Sequence, residues 1–108
     1  MRAMGLRDLL AWLLRRRHRV RVTGPSMAPT IPAGTTVLVK PTQTVRPGDI
    51  VVTKHPRSTQ ITIVKRVDHL TDTGDLFLRG DGTPSTDSRD FGPVPSTLLL
   101  GKVVCTLP

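Results

Sequence analysis

Beyond residue 22 the apolar positions fall in short alternating runs punctuated by proline and glycine, the pattern of strands joined by shaped loops. Residues 20–22 read as a short edge strand, and residues 24–34, with three prolines and two glycines, as a shaped loop. Residues 35–40 predict a second strand. The sequence Arg46-Pro47-Gly48-Asp49 predicts a turn that launches a strand over 50–53, because proline fixes φ at one central position and glycine accepts positive φ at the next. A loop at 55–58 precedes strict alternation over 60–68, which places Ile61, Ile63, Lys65 and Val67 on one face and Thr62, Val64, Arg66 and Asp68 on the other. Lys65, rather than Arg66, therefore shares the more apolar face. A turn at 71–74, a strand at 75–79, a polar loop at 80–91 and a last strand at 98–104, broken at Gly101, complete the chain. The expected fold is mainly β: a small twisted sheet curled into a barrel-like core, with functional loops at its rim.

The first residues follow a different pattern. Leu6, Leu9, Leu10, Leu13 and Leu14 suit one face of a short N-terminal helix, and Arg15-Arg16-Arg17-His18-Arg19 follows. The chain divides on this basis into a basic amphipathic segment, 1–19, and a β domain, 20–108. The longest apolar run in the segment is six residues, against about 20 for a bilayer span, and arginines stand where a signal-peptide cleavage site would be. A helix docked on the body, a weak peripheral membrane contact and a partner-binding tail are the readings left open. The expected location is cytoplasmic, or peripheral at the inner face of a membrane.

Charge sharpens that division. The net charge is +8, and residues 1–22 hold seven arginines against one aspartate, so most of the excess lies there. The remainder is nearly balanced, and the three aromatic residues form no stacking series for nucleic acid. A single cysteine, Cys105, excludes an internal disulfide and is expected to be a small core residue. The aspartates match no calcium loop, and no glycine-rich phosphate loop is present, so neither a cofactor nor a metal is expected.

Ser26 lies in a proline-flanked turn, Gly24-Pro25-Ser26-Met27-Ala28-Pro29-Thr30. A serine hydroxyl needs a base before it attacks a carbonyl. His18, His55 and His69 have no evident carboxylate partner in the sequence. A lysine serves instead when burial lowers its pKa, and Lys65 sits on an apolar strand face. Without further information, a lysine snorkelling to solvent and a serine closing a turn explain the same residues.

Three segments, in order, change that balance. Residues 24–30 resemble the nucleophile box of type I signal peptidases. Val64-Lys65-Arg66-Val67 resembles their lysine box, and Gly80-Asp81 through Asp87-Ser88-Arg89, then Phe91-Gly92, resembles their third conserved segment. Mitochondrial inner-membrane peptidases have a similar serine box. The phrases Arg46-Pro47-Gly48-Asp49 and residues 85–95 look most like the branch of nickel-type superoxide dismutase maturation proteases. The resemblance implies Ser26 as nucleophile, Lys65 as general base, and Ser85 as the hydroxyl that orients the lysine. It implies Asp81 and Arg89 as a charged pair bracing the loop, Asp87 and Ser88 as supports, and Met27 in the substrate-binding surface. Arg66, on the other strand face, is expected to be structural.

Two positions depart from the family pattern. Gly24 stands where a serine hydroxyl contributes to the oxyanion hole, leaving the Ser26 backbone N–H as the expected donor, with Gly24 N–H a candidate second. Gly82 replaces a common asparagine. The implied activity is a serine endopeptidase that removes an N-terminal extension from a precursor, the resemblance pointing to a nickel superoxide dismutase. The alternatives are signal peptidase-like processing of exported proteins, an inactive homologue, and a non-catalytic β module that binds nucleic acid through its arginines. The self-cleaving repressor family also uses Ser–Lys chemistry, and it ranks low because 108 residues leave little room for a separate DNA-binding domain.

Overall fold

The computed structural model describes residues 17–82 and 85–107. The expected N-terminal helix lies outside the described residues. The rest forms one antiparallel sheet of six strands: β1 (His18–Arg21), β2 (Thr36–Lys40), β3 (Ile50–His55), β4 (Ser58–Leu70), β5 (Leu76–Arg79) and β6 (Leu99–Leu107), in spatial order β1-β2-β6-β3-β4-β5. The last strand thus enters the middle of the sheet, between β2 and β3. A single helical turn, α1 (Ser88–Phe91), and a 3-10 turn, Ser96–Leu98, lie between β5 and β6.

Apolar side chains cover both faces. Val51 pairs with Lys65 and Val52 with Val64, and strand alternation sends these two pairs to opposite faces. Val52 and Val64 join Val37 and Val39, and the loop before β2 folds Met27 and Ile31 onto the same cluster. On the other face Val51 and Val67 pack with Leu76, Leu78, Val94 and Leu99. Lys65 belongs to this second face, as the alternation predicts.

The sheet is open, which corrects the expectation of a curled barrel. Closure would require β1 and β5, the two edges, to pair. Each has only four residues, and the outer side of β5 is already used: Leu76 N–H donates to Val94 O at 2.8 Å and Val94 N–H returns a bond at 2.7 Å. β5 pairs with β4 only over Arg66–Leu70. Among the described residues, the outer edge of β4 from Ser58 to Lys65 therefore has no strand partner.

Three local expectations change. β6 runs through Gly101 to Leu107 instead of breaking there, because a β-carbon at Gly101 would lie 2.5 Å from Lys40 O, and its absence lets β2 approach. Cys105 is exposed and not in the core. It lies beyond the stretch of β6 that pairs with β3, so among the described residues β2 is its only strand partner. Residues 88–91 coil into α1, capped by Asp87 through a reciprocal box in which Asp90 accepts the Asp87 N–H.

Candidate active site

The turn that carries Ser26 is fixed from below. Pro25 O accepts Ala28 N–H at 2.9 Å and Met27 O accepts Ile31 N–H at 2.8 Å. Met27 is fully buried, a burial worth about 1.5–3 kcal/mol. It anchors the turn in the core and does not reach the substrate surface assigned to it from the sequence. Ser26 is left half-buried at a cavity of about 200 Å³ lined by residues 20–24, Ser26 and residues 62–65 of β4. Lys65 lines the same cavity. The amide N–H groups of Gly24 and Ser26 have no acceptor among the described residues.

Lys65 is only 6% exposed. Burial pushes its pKa below the ordinary lysine value, and the negative charge of Asp87 partly opposes that fall. No direct hydrogen bond joins Ser26 Oγ to Lys65 Nζ. In unliganded sites such bonds are often long and tighten only when substrate is bound. The histidines do not line the cavity. His69 lies on Asp68, with Nδ1 2.7 Å from the carboxylate, and stacks on Phe77 at 4.7 Å. His55 accepts Arg57 N–H at 3.0 Å and contacts the Phe91 ring.

Gly80, Gly82 and Ser85 pack against the turn. Gly82 N–H donates to Ser26 O at 2.6 Å, and a β-carbon there would stand 2.5 Å from Pro25 O. The missing asparagine side chain thus has a steric reason. Gly80 is tighter still: a β-carbon would collide with Ser85 Oγ and lie 2.6 Å from Ser26 O. Sequence reasoning missed Gly80, although its place at the head of Gly80-Asp81-Gly82 was the available signal. Ser85 Oγ is buried without a hydrogen-bond partner among the described residues, so the expected bond to Lys65 is not formed.

The charged pairs differ from those inferred. Asp81 pairs with Arg66, whose guanidinium donates two bonds to it at 2.9 and 2.7 Å and a third to Gly48 O at 2.7 Å. Arg89 pairs with Asp87 at 2.9 and 2.8 Å. The reason is the parity of β4 and β5: Arg66 lies opposite Arg79, immediately before the 80–82 turn, while α1 holds Arg89 beside its own cap. Asp87 is fully buried. The Arg89 side chain, with the backbone N–H groups of Gly80 and Arg89, holds its carboxyl well below the usual range. Ser88 Oγ accepts Leu78 N–H at 2.8 Å, tying α1 to β5. Among the described residues no group of three or more His, Cys, Asp or Glu side chains is placed to hold a metal.

Two of the three segments that resemble signal peptidases line one cavity, the third touches the Ser26 turn through Gly82, and comparison with known proteins agrees on the class. A profile described as Peptidase S24-like matches residues 15–90. The chain belongs to this family of signal peptidase-like serine proteases. It is 35% identical to the mitochondrial ATP-independent inner membrane protease subunit 1b of Arabidopsis thaliana, with 75% of this chain and 64% of that protein covered. The mitochondrial inner membrane protease subunit 1 of Mus musculus and that of Homo sapiens are each 32% identical, with 78% of this chain and 65% of theirs covered. The chain spans less than two thirds of the length of these relatives.

These relatives correct two expectations. The likeness to the nickel superoxide dismutase maturation branch gives way to inner-membrane protease subunits, and with it goes the superoxide dismutase substrate. The cytoplasmic location does not stand either, since the relatives are named for a membrane. Among the described residues no helix is long and apolar enough to cross one. The phrases at 46–49 and 85–95 that resemble that branch form a turn with Gly48 at φ +94° and the capped turn α1.

Proposed function

We propose that this protein is a signal peptidase-like serine endopeptidase that removes N-terminal extensions from precursor proteins delivered to or across a membrane. The observation that carries this reading is one cavity shared by an accessible serine and a nearly buried lysine of lowered pKa, with no histidine among its lining residues. Neutral Lys65 takes the proton of Ser26 Oγ as the oxygen attacks the scissile carbonyl. The N–H groups of Ser26 and Gly24 face the developing oxyanion, a contribution of about 3–4 kcal/mol for a well-placed donor. Lys65 returns the proton to the leaving amine, and an acyl ester on Ser26 remains. Lys65 then activates the water that hydrolyses it.

The substrate fits as an extended segment. The unpaired edge of β4 at residues 62–65 forms one wall of the cavity and residues 20–24 form the other, so a peptide adding to that edge runs past both reacting side chains. The membrane setting is drawn from the names of the relatives. The test is to incubate the full chain with precursors that carry targeting extensions and to read intact masses, with Ser26→Ala in parallel. A single N-terminal truncation by wild type alone supports the proposal. Equal processing by Ser26→Ala would remove it and leave the nucleic acid-binding module as the reading to test.

A further inference from the structure

A separate cavity of about 370 Å³ shares no lining residue with the first and is bounded by Lys40, Thr42, Thr44, Arg46, Asp49 and Lys102. Three cations face one carboxylate there. The register sets Lys40 directly opposite Lys102 across β2 and β6, and like charges in that relation destabilise a sheet. The available relief is partial. Lys102 Nζ reaches Asp49 Oδ2 only at 3.8 Å, and that same oxygen already accepts the Arg46 N–H at 2.9 Å. The hydroxyls of Thr42 and Thr44 line the same walls, with Thr44 N–H donating to Thr42 Oγ1 at 3.1 Å. None of the three cations packs in either apolar cluster, so the core gives no reason to gather them.

We propose that this cavity binds a phosphate group, carried by an anionic lipid headgroup or by a soluble phosphate ester. A net charge of two positive units matches a phosphate, which carries one or two negative charges and several acceptor oxygens. Two lysines supply point charges, Arg46 a planar fork, and the threonines neutral donors. The place of the cavity in the sheet gives the site a use. Val51 pairs with both Lys102 and Lys65, so Lys40, Lys102, Val51 and Lys65 lie in one transverse row on one face. Two strand spacings, about 10 Å, separate the Lys102 and Lys65 backbones. A lipid phosphate held here sets the height of the peptidase cleft above the bilayer. That consequence rests on the proposed role of Lys65, whereas the phosphate site itself does not.

The test compares the full chain with Lys40→Gln/Lys102→Gln. Amide NMR shifts are followed during titration with glycerol 3-phosphate, with acetate at equal ionic strength as control. Binding to phosphatidylcholine vesicles, with and without phosphatidylglycerol, is measured by flotation. The expected result is a saturable shift of Thr42, Thr44, Arg46 and Asp49 with the phosphate ester but not acetate, or phosphatidylglycerol-dependent flotation, weakened about 30-fold in the variant. Loss confined to vesicles identifies a lipid source, and loss confined to the ester a soluble one. The arginines of residues 1–22 are common to both proteins and cancel in the ratio. The variant is expected to melt no lower than wild type, because opposed charges are removed. Should it melt lower, Lys102→Gln alone takes its place. Equal affinity of wild type and variant for both probes, or equal shifts with acetate, overturns the proposal.

Discussion

Gly80→Ala offers a direct test of how the 80–82 turn holds Ser26, the proposed nucleophile. The new β-carbon would stand 2.6 Å from Ser26 O and 2.8 Å from Ser85 Cβ, whereas ordinary contact begins near 3.4 Å. The Ser85 side chain can rotate away at little cost. The Ser26 carbonyl cannot, because it is backbone and Gly82 N–H holds it at 2.6 Å. The turn must retreat by about 0.8 Å, and a misplacement near 1 Å costs on the order of 100-fold in rate. The assay is the burst of p-nitrophenol released as an activated ester acylates Ser26, which needs no knowledge of the natural substrate. The expected result is an acylation rate about 100-fold lower, with circular dichroism unchanged. An acylation rate within twofold of wild type would refute the argument. So would full recovery in Gly80→Ala/Ser85→Ala, since crowding of Ser85 and not displacement of Ser26 would then be the cause.

Ser26→Ala and Lys65→Ala are each expected to lower turnover on the order of 10⁴-fold or more while the protein stays folded, measured on any cleaved peptide; near-normal turnover in Lys65→Ala would exclude it as the base. Wild-type activity should rise with pH through the lowered Lys65 pKa and reach its plateau below the ordinary lysine value, and His55→Asn and His69→Asn should leave that profile in place. Asp87→Asn should shift the rising limb to lower pH and Arg89→Leu to higher pH, because the first removes the charge that raises the Lys65 pKa and the second leaves that charge unneutralised; shifts in the same direction would contradict this. Asp87 is held below its unfolded pKa, so its contribution is present at neutral pH and is lost as pH falls below the ordinary carboxylate range; Asp87→Asn should cost about 2 kcal/mol at pH 7 and flatten the acid limb of a denaturation series.

The sequence carried the strand parity well. The alternation over 60–68 placed Lys65 among apolar neighbours, and Pro47-Gly48 marked its turn, because both signals are local. The order of the strands was not legible, since nothing local says that β6 enters between β2 and β3. The barrel expectation failed for the same kind of reason. Whether two edges meet depends on what else occupies them, and Val94 takes the edge of β5 from 18 residues away from Leu76. The partners of the charged residues were exchanged in the sequence reading, because resemblance gives residue types and not which carboxylate each arginine faces.

The pairing that emerges bears on how the Lys65 pKa is set. Burial lowers the Lys65 pKa. A bare Asp87 carboxylate nearby would do the opposite and keep the ammonium charged. Arg89 moderates the second effect by donating two bonds to Asp87, while Gly80 and Arg89 N–H groups fix the carboxylate in place. The same Asp87 caps α1, and α1 is tied to β5 through Ser88. The electrostatic setting of Lys65, the proposed base, and the position of the Gly80–Gly82 turn against Ser26 thus depend on one buried carboxylate. A substitution there is expected to act on stability and on the pH profile together, whereas a change at Gly80 acts on rate with the pH profile intact.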